Sequence, residues 1–182
     1  MWPALTQAES GVPAGVVQNI GHGGSTTLTL LNKLQSTILP LMPATTGQPA
    51  IYAVMIGAND IKGGGNLASI QIQMQQLWYA VQSAGAFLVV LTVPDDAVIN
   101  ATNNGETIRN SLNSWIKSHP WPNLVVDVAS LPAFSDFTNT TYYQWTGAGN
   151  NGIHFTQTAQ QIIANAVYNA LISQGYAPQP VP

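Results

Sequence analysis

The sequence predicts an α/β domain built on a parallel sheet with helices on both faces. Three observations carry this. Short apolar runs alternate strictly with amphipathic helical stretches along the whole chain. Two of the runs, residues 50–56 and 86–93, are continuously apolar, as in strands buried on both faces. The residues with chemistry in them fall just after those runs or just before the last helix, where open parallel sheets bind ligands. The 182 residues and 46% hydrophobic content suit one domain, residues 1–182, with a single core.

The elements follow in order. Residues 16–20 (Val-Val-Gln-Asn-Ile) read as a strand. Residues 26–39 read as a helix with Leu28, Leu31, Leu34 and Ile38 on its buried face. Residues 50–56 form the next strand. Leu67, Ile70, Met74, Leu77, Trp78 and Val81 mark a helix that Gly85 ends as the residue beyond its C-cap. Residues 86–93 are a strand ended by Pro94. Ile108, Leu112, Trp115 and Ile116 mark a helix stopped by His119-Pro120, and residues 124–128 are a further strand. Thr156 caps a last helix that buries Ile163, Ala166, Val167, Ala170 and Leu171, with Gly175 and Pro178 beyond its end.

Charged residues make up 6% of the chain, against about 25% in an average soluble domain. The surface is therefore made of Asn, Gln, Thr and Ser, which points to an extracellular or virion-associated setting. With four Lys and Arg in all and a formal net charge of −3, no cationic cluster exists to displace counterions from nucleic acid or to meet an anionic membrane. No apolar run approaches the about 20 residues of a membrane span, and no targeting segment is visible. The absence of cysteine removes disulfides, thiolate catalysis and Cys-ligated zinc. His22, His119 and His154 have no metal-ligand spacing. Asn100 and Asn139 head Asn-x-Thr sequons, which are common by chance in so Asn/Thr-rich a chain.

Three loops carry candidate chemistry. Residues 19–26 (Asn-Ile-Gly-His-Gly-Gly-Ser-Thr) form a glycine-rich turn whose amides can approach an anion closely. Gly57-Ala58-Asn59-Asp60 follows the most apolar strand, where the Asn59 amide can donate to an oxyanion, or Asn59 or Asp60 simply caps a turn. Asn150-Asn151-Gly152-Ile153-His154 precedes the last helix, and His154 is either a general base or a solvated loop residue.

Taken together, glycine loop, Gly-Ala-Asn-Asp-Ile and a late Gly-Ile-His resemble, in order and spacing, the SGNH (GDSL-type) hydrolase family. The resemblance covers nearly the whole chain. It implies a three-layer, flavodoxin-like α/β/α sandwich, ester hydrolysis on lipids, carbohydrates or small esters, and no cofactor. It places Gly24 at the block-two glycine, Asn59 at the block-three asparagine and His154 at the block-five histidine, and expects the three to converge at one end of the sheet. The chain departs from the family pattern twice. No Gly-Asp-Ser, the nucleophile block on the family's first central strand, occurs in the sequence; the chain is read as N-terminally incomplete, with that strand missing. The family's Asp three residues before the histidine is here Asn151, which can orient an imidazole but cannot stabilise an imidazolium by charge. Ser25 is a weak substitute nucleophile because its turn already holds the glycine block, and Ser10 reads as a surface residue; His22 either faces the site entrance or, as the stronger reading, is an ordinary loop residue. Asp127 reads as an internal hydrogen-bond acceptor, whereas Asp95, Asp96 and Asp136 have no partner legible in sequence. The expected partner is a small-molecule or carbohydrate ester. The alternative is a non-catalytic carbohydrate- or surface-binding module on the same fold.

Overall fold

The computed structural model describes residues 19–41, 50–145 and 152–175. Its centre is a parallel sheet of three strands, β1 (Ile51–Val54), β2 (Phe87–Leu91) and β3 (Leu124–Val126), in that order. Ile51 pairs with Phe87 and Val54 with Val90; Val89 pairs with Leu124 and Leu91 with Val126. Because side chains alternate across a strand, each strand feeds two cores. Tyr52, Val54, Leu88 and Val90 face one, and Val89, Leu91 and Val126 the other.

The first core is covered by helices α1 (Thr27–Asn32), α3 (Leu67–Ser83) and α5 (Gly105–Ser118), which contribute Met74, Leu77, Trp78, Leu112 and Ile116. The short helices α2 (Ala58–Lys62) and α4 (Ala97–Ala101) follow β1 and β2. The second core is closed by α6 (Gln157–Ser173) with Ala159, Ile163 and Val167, and by two 3-10 turns, Val128–Ser130 and Pro132–Phe134. These are the three layers that the family resemblance implies.

Asn66 and Thr156 cap α3 and α6 as acceptors for the Ser69 and Ala159 amides. Three expectations need correction. The helix expected over residues 26–39 is broken: α1 ends at Asn32, a π turn spans Leu34–Ile38 and a 3-10 turn Leu39–Leu41. At Lys33 the backbone N–H is shared between the Thr29 and Leu30 carbonyls, and the Thr37 and Ile38 amides both return to the Lys33 carbonyl; Pro40, with no N–H for the Ser36 carbonyl, keeps a regular helix from resuming beyond. Leu28 is not on the buried face. Thr27, Leu34 and Ile38 are buried, whereas Leu28 is 49% exposed. The strand expected over residues 16–20 falls on residues 16–18, outside those described, and Asn19 and Ile20 belong to no strand. Among the described residues β1 is therefore an edge strand, and Ile51 is 43% exposed despite the apolar run around it.

Candidate active site

Gly57 takes β1 into α2. Its φ is +116°, a conformation that residues with a Cβ rarely adopt, and a Cβ there would lie 2.9 Å from Leu112 Cδ2 and 3.2 Å from Met74 Cε. The chain can thus turn sharply against the core and present Asn59 and Asp60 on the first turn of α2.

Both side chains reach back to the glycine-rich turn. Asn59 Nδ2 donates to the Ser25 carbonyl at 3.0 Å. The Thr27 amide donates to both oxygens of Asp60, at 3.1 and 3.0 Å, and the Thr27 hydroxyl donates to Asp60 Oδ1 at 2.6 Å. Gln73 of α3 lies 2.5 Å from the same hydroxyl oxygen. A hydroxyl has one proton; with that proton on the carboxylate, the Gln73 amide satisfies the oxygen by turning its nitrogen toward it. Gly24, with φ +76°, immediately precedes this clamp. The Gly24 loop and Asn59 are thus brought together, although 34 residues separate Ser25 from Asn59. A cleft of about 220 Å³ adjoins them, lined by Thr26, Leu28, Asn59, Asp60, Ser69 and Ile70 among others, so the exposed Leu28 becomes part of its wall.

His154 is held through its backbone. Gln144 N donates to the His154 carbonyl at 2.8 Å, Gly152 N to the Gln144 carbonyl at 2.9 Å and Thr156 N to the Tyr142 carbonyl at 2.9 Å, around an antiparallel bridge of Tyr143 with Phe155. Beneath it Phe134, Tyr143 and Phe155 pack edge to face, with ring centroids 5.1 to 6.2 Å apart. The imidazole is exposed. Gly152, at φ +69°, leaves no room for a Cβ, which would lie 2.7 Å from Trp145 Cζ2. Asn151 lies outside the described residues.

No hydrogen bond joins the His154 ring to Gly24 or Asn59 among the described residues. The two halves are tied instead through the loop after β2. Lys62, at the end of α2, pairs with Asp96 at 2.5 Å, and both side chains are largely buried. Asp96 also caps α4 by accepting from Val98 N and Ile99 N, each at 2.9 Å. Ala97 N then donates to the Gly152 carbonyl at 3.2 Å, and the Tyr143 hydroxyl donates to the Asp95 carbonyl at 2.8 Å. Burial, reinforced by the Asp95 and Asp96 charges, raises the Tyr143 phenol well above its ordinary value, so it serves as a donor.

The loop carboxylates without a legible partner in sequence are therefore all engaged. Asp96 pairs with Lys62; Asp95 lies 3.9 Å from Arg109 Nε, whose main partner is Glu106; Asp136 accepts from Thr138 N and Oγ1. Asp127 accepts from Thr92 Oγ1 at 2.9 Å and from Lys117, as an internal acceptor. Sequence reasoning gave Asp60 no role beyond capping a turn, and none to Thr27 or Lys62. The available signal was a carboxylate directly after Asn59 with no cation at helical spacing before it. Ser25 is buried and spends its carbonyl on Asn59; His22 is exposed; Ser10 lies outside the described residues. No group of three or more His, Asp or Glu side chains able to hold a metal occurs among the described residues, and no helix among them is long and apolar enough to cross a membrane.

This is a layered α/β frame in which Asn59 and Asp60, just after β1, are clamped to the glycine-rich turn. The chain belongs to the GDSL-like lipase/acylhydrolase family, whose family model matches residues 1–162. Solved structures share the fold. The psychrotrophic esterase EstA from Pseudoalteromonas, in a form inhibited by monoethylphosphonate, superposes with a TM-score of 0.64 at 17% identity, over 95% of this chain and 86% of that one. A protein from Desulfitobacterium hafniense described as lipolytic and of the G-D-S-L family gives 0.66 at 15% identity, over 93% and 87%. An acetyl esterase variant with an acetate ion gives 0.61 at 19%, over 95% and 87%. No curated protein sequence matches the chain.

Proposed function

We propose that this chain is the body of a serine esterase that removes acetyl or other small acyl groups, those on carbohydrates foremost. The observation that carries the proposal is the Asn59–Ser25 hydrogen bond, which fixes the Asn59 amide beside Gly24. Its second N–H has no partner among the described residues. In this reading a serine oxygen attacks the acyl carbonyl. His154 takes the serine proton and returns it to the departing alcohol. The Gly24 N–H and Asn59 Nδ2 hold the oxyanion. Water, deprotonated by His154, then releases the acid. One such donor is worth about 2.7–4 kcal/mol of barrier. Asn151 would orient the imidazole as a neutral partner. The nucleophile belongs on a strand ending in Gly-Asp-Ser, paired with the outer edge of β1.

The test is hydrolysis of p-nitrophenyl acetate and labelling by a fluorophosphonate, for the 182-residue chain alone and for the chain preceded by such a strand. The extended protein is expected to be labelled on the added serine and to unfold cooperatively. Asn59→Ala and His154→Ala are each expected to cost it about 10²-fold or more in kcat. Stoichiometric labelling of the 182 residues alone, mapping to Ser25, would overturn the assignment of the nucleophile. An extended protein that folds yet is neither labelled nor active would favour the second reading, a non-catalytic binding module, to which Asn151 already inclines.

A further inference from the structure

Two large aromatic rings face solvent at the other end of the sheet. In a parallel sheet the helices carry the chain back to where strands begin. Tyr79 lies on the last turns of α3 before β2, and Trp121 just before β3, whereas Asn59 follows the end of β1. Tyr79 is 66% exposed and Trp121 40%. Their ring centroids are 6.3 Å apart and their planes tilt by 47°.

Trp121 is held in place. It stands between Pro120 and Pro122. Its N–H donates to His119 Nδ1 at 3.2 Å, and its carbonyl accepts from Gln82 Nε2 at 2.6 Å. Its ring meets the His119 ring edge-on at 5.1 Å. His119 lies 3.1 Å from Gln75 and rests against Trp115 and the fully buried Trp78, so the support reaches the core. The fold therefore holds an apolar ring out in water and immobilises it, which suits a preorganised ligand surface better than an uncovered core residue.

The surroundings set the ligand's chemistry. α3 carries no charged residue, nor do residues 119–123, and the nearby Lys117 is paired with Asp127. A phosphate or an acidic chain would find no cation here. Neutral amides stand beside the rings. Asn123 Oδ1 accepts from Leu88 N and from Gln82, while its own N–H groups have no partner among the described residues. Flat rings stack on the C–H faces of sugar rings, and amides hydrogen-bond their hydroxyls.

We propose that Tyr79 and Trp121 form a platform for a neutral polysaccharide chain, separate from the Gly24–Asn59 site and independent of the esterase reading. The experiment is affinity electrophoresis of the full chain through gels containing xylan, glucomannan or hydroxyethylcellulose. The comparison is with Trp121→Ala, Tyr79→Ser and, as a control on α6, Ile172→Ala. At least one polymer is expected to retard the wild type. Each platform variant is expected to weaken that binding about tenfold or more, with the melting temperature of Tyr79→Ser unchanged, while Ile172→Ala binds normally. Failure of all three polymers to retard the wild type would overturn the proposal. So would equal retardation of wild type and Tyr79→Ser. A change of oligomeric state in the platform variants by sedimentation would assign the rings to a protein contact instead.

Discussion

Asp60 closes both carboxylate oxygens on the backbone amide of Thr27, 33 residues earlier in the chain, and takes the Thr27 hydroxyl as well. The contact is buried and involves no cation, so its strength lies in charge-assisted hydrogen bonds. It fixes the start of α1 to the start of α2, and with it the distance between the Gly24 turn and Asn59. Asp60→Ala leaves the Thr27 N–H and hydroxyl without this acceptor, at about 1–3 kcal/mol for a buried group left unsatisfied. Asp60→Asn keeps one acceptor oxygen and is expected to cost less. Urea unfolding checks both: midpoints should fall in the order wild type, Asp60→Asn, Asp60→Ala, with little change in slope.

Gly57→Ala is expected to destabilise by about 1–3 kcal/mol through overpacking. The new methyl meets Leu112 Cδ2 at 2.9 Å, and the φ of +116° adds strain. Gly64→Ala, also at positive φ but with nothing within 4 Å, separates the two effects. If thermal unfolding shows Gly64→Ala as costly as Gly57→Ala, backbone strain rather than the contact with Leu112 dominates.

Two carboxylates should respond to acid with opposite sign. Burial works against the Asp127 charge, but hydrogen bonds from Lys117 and Thr92 outweigh it and hold the carboxyl below its ordinary 3.8. The stability it contributes is present above that value and is lost as pH falls through the folded-state value. Burial and the Glu106 charge push Asp95 above 3.8 despite Arg109. Its contribution is present below 3.8 and is lost as pH rises through the folded-state value. Urea midpoints at pH 6 and pH 3 should therefore show Asp127→Asn weaker than wild type at pH 6 and Asp95→Asn equal or stronger, with both differences shrinking at pH 3.

His119 should make the protein acid-sensitive nearer neutrality. Burial lowers its pKa below the ordinary 6.5, and Nδ1 must be unprotonated to accept from Trp121 N. The unfolded chain then binds the proton more readily, so stability is present above pH 6.5 and is lost as pH falls below it. In His119→Asn the amide oxygen can take the place of Nδ1 without titrating. Its urea midpoint should vary less than wild type between pH 7 and pH 5; an unchanged slope would mean that His119 is not the group responsible.

How much of this was legible beforehand depended on distance along the chain. The apolar runs at residues 50–56 and 86–93 disclosed parallel strands, and the cap at Thr156 with the stops at Gly85 and His119-Pro120 disclosed helix ends, because periodicity and capping are local properties. The runs overstated strand length at both ends. Strand pairing needs a partner at each residue, and apolar side chains beyond Val54 and Leu91 are buried by helices instead. Pro40, which keeps a regular helix from resuming, was also written locally, but the exposure of Leu28 was not, because the cleft it lines is completed by Asn59, Ser69 and Ile70 from elsewhere in the chain.

Sequence alone determined the order of the layers, the family, the placement of Gly24 and His154 in loops, and the position of Asn59 just after a strand, where the structure has the first turn of α2 and not the expected loop. The tertiary structure decided which of those loops touch, and through which atoms. The Asp60–Thr27 clamp, the Lys62–Asp96 pair and the Gly152–Ala97 bond each join residues more than 30 positions apart. It also decided that Tyr79 and Trp121 share one surface. Such contacts are set by how strands and helices pack in three dimensions. A carboxylate's partner is whichever donor the fold brings within about 3 Å, and no pattern along the chain records that distance.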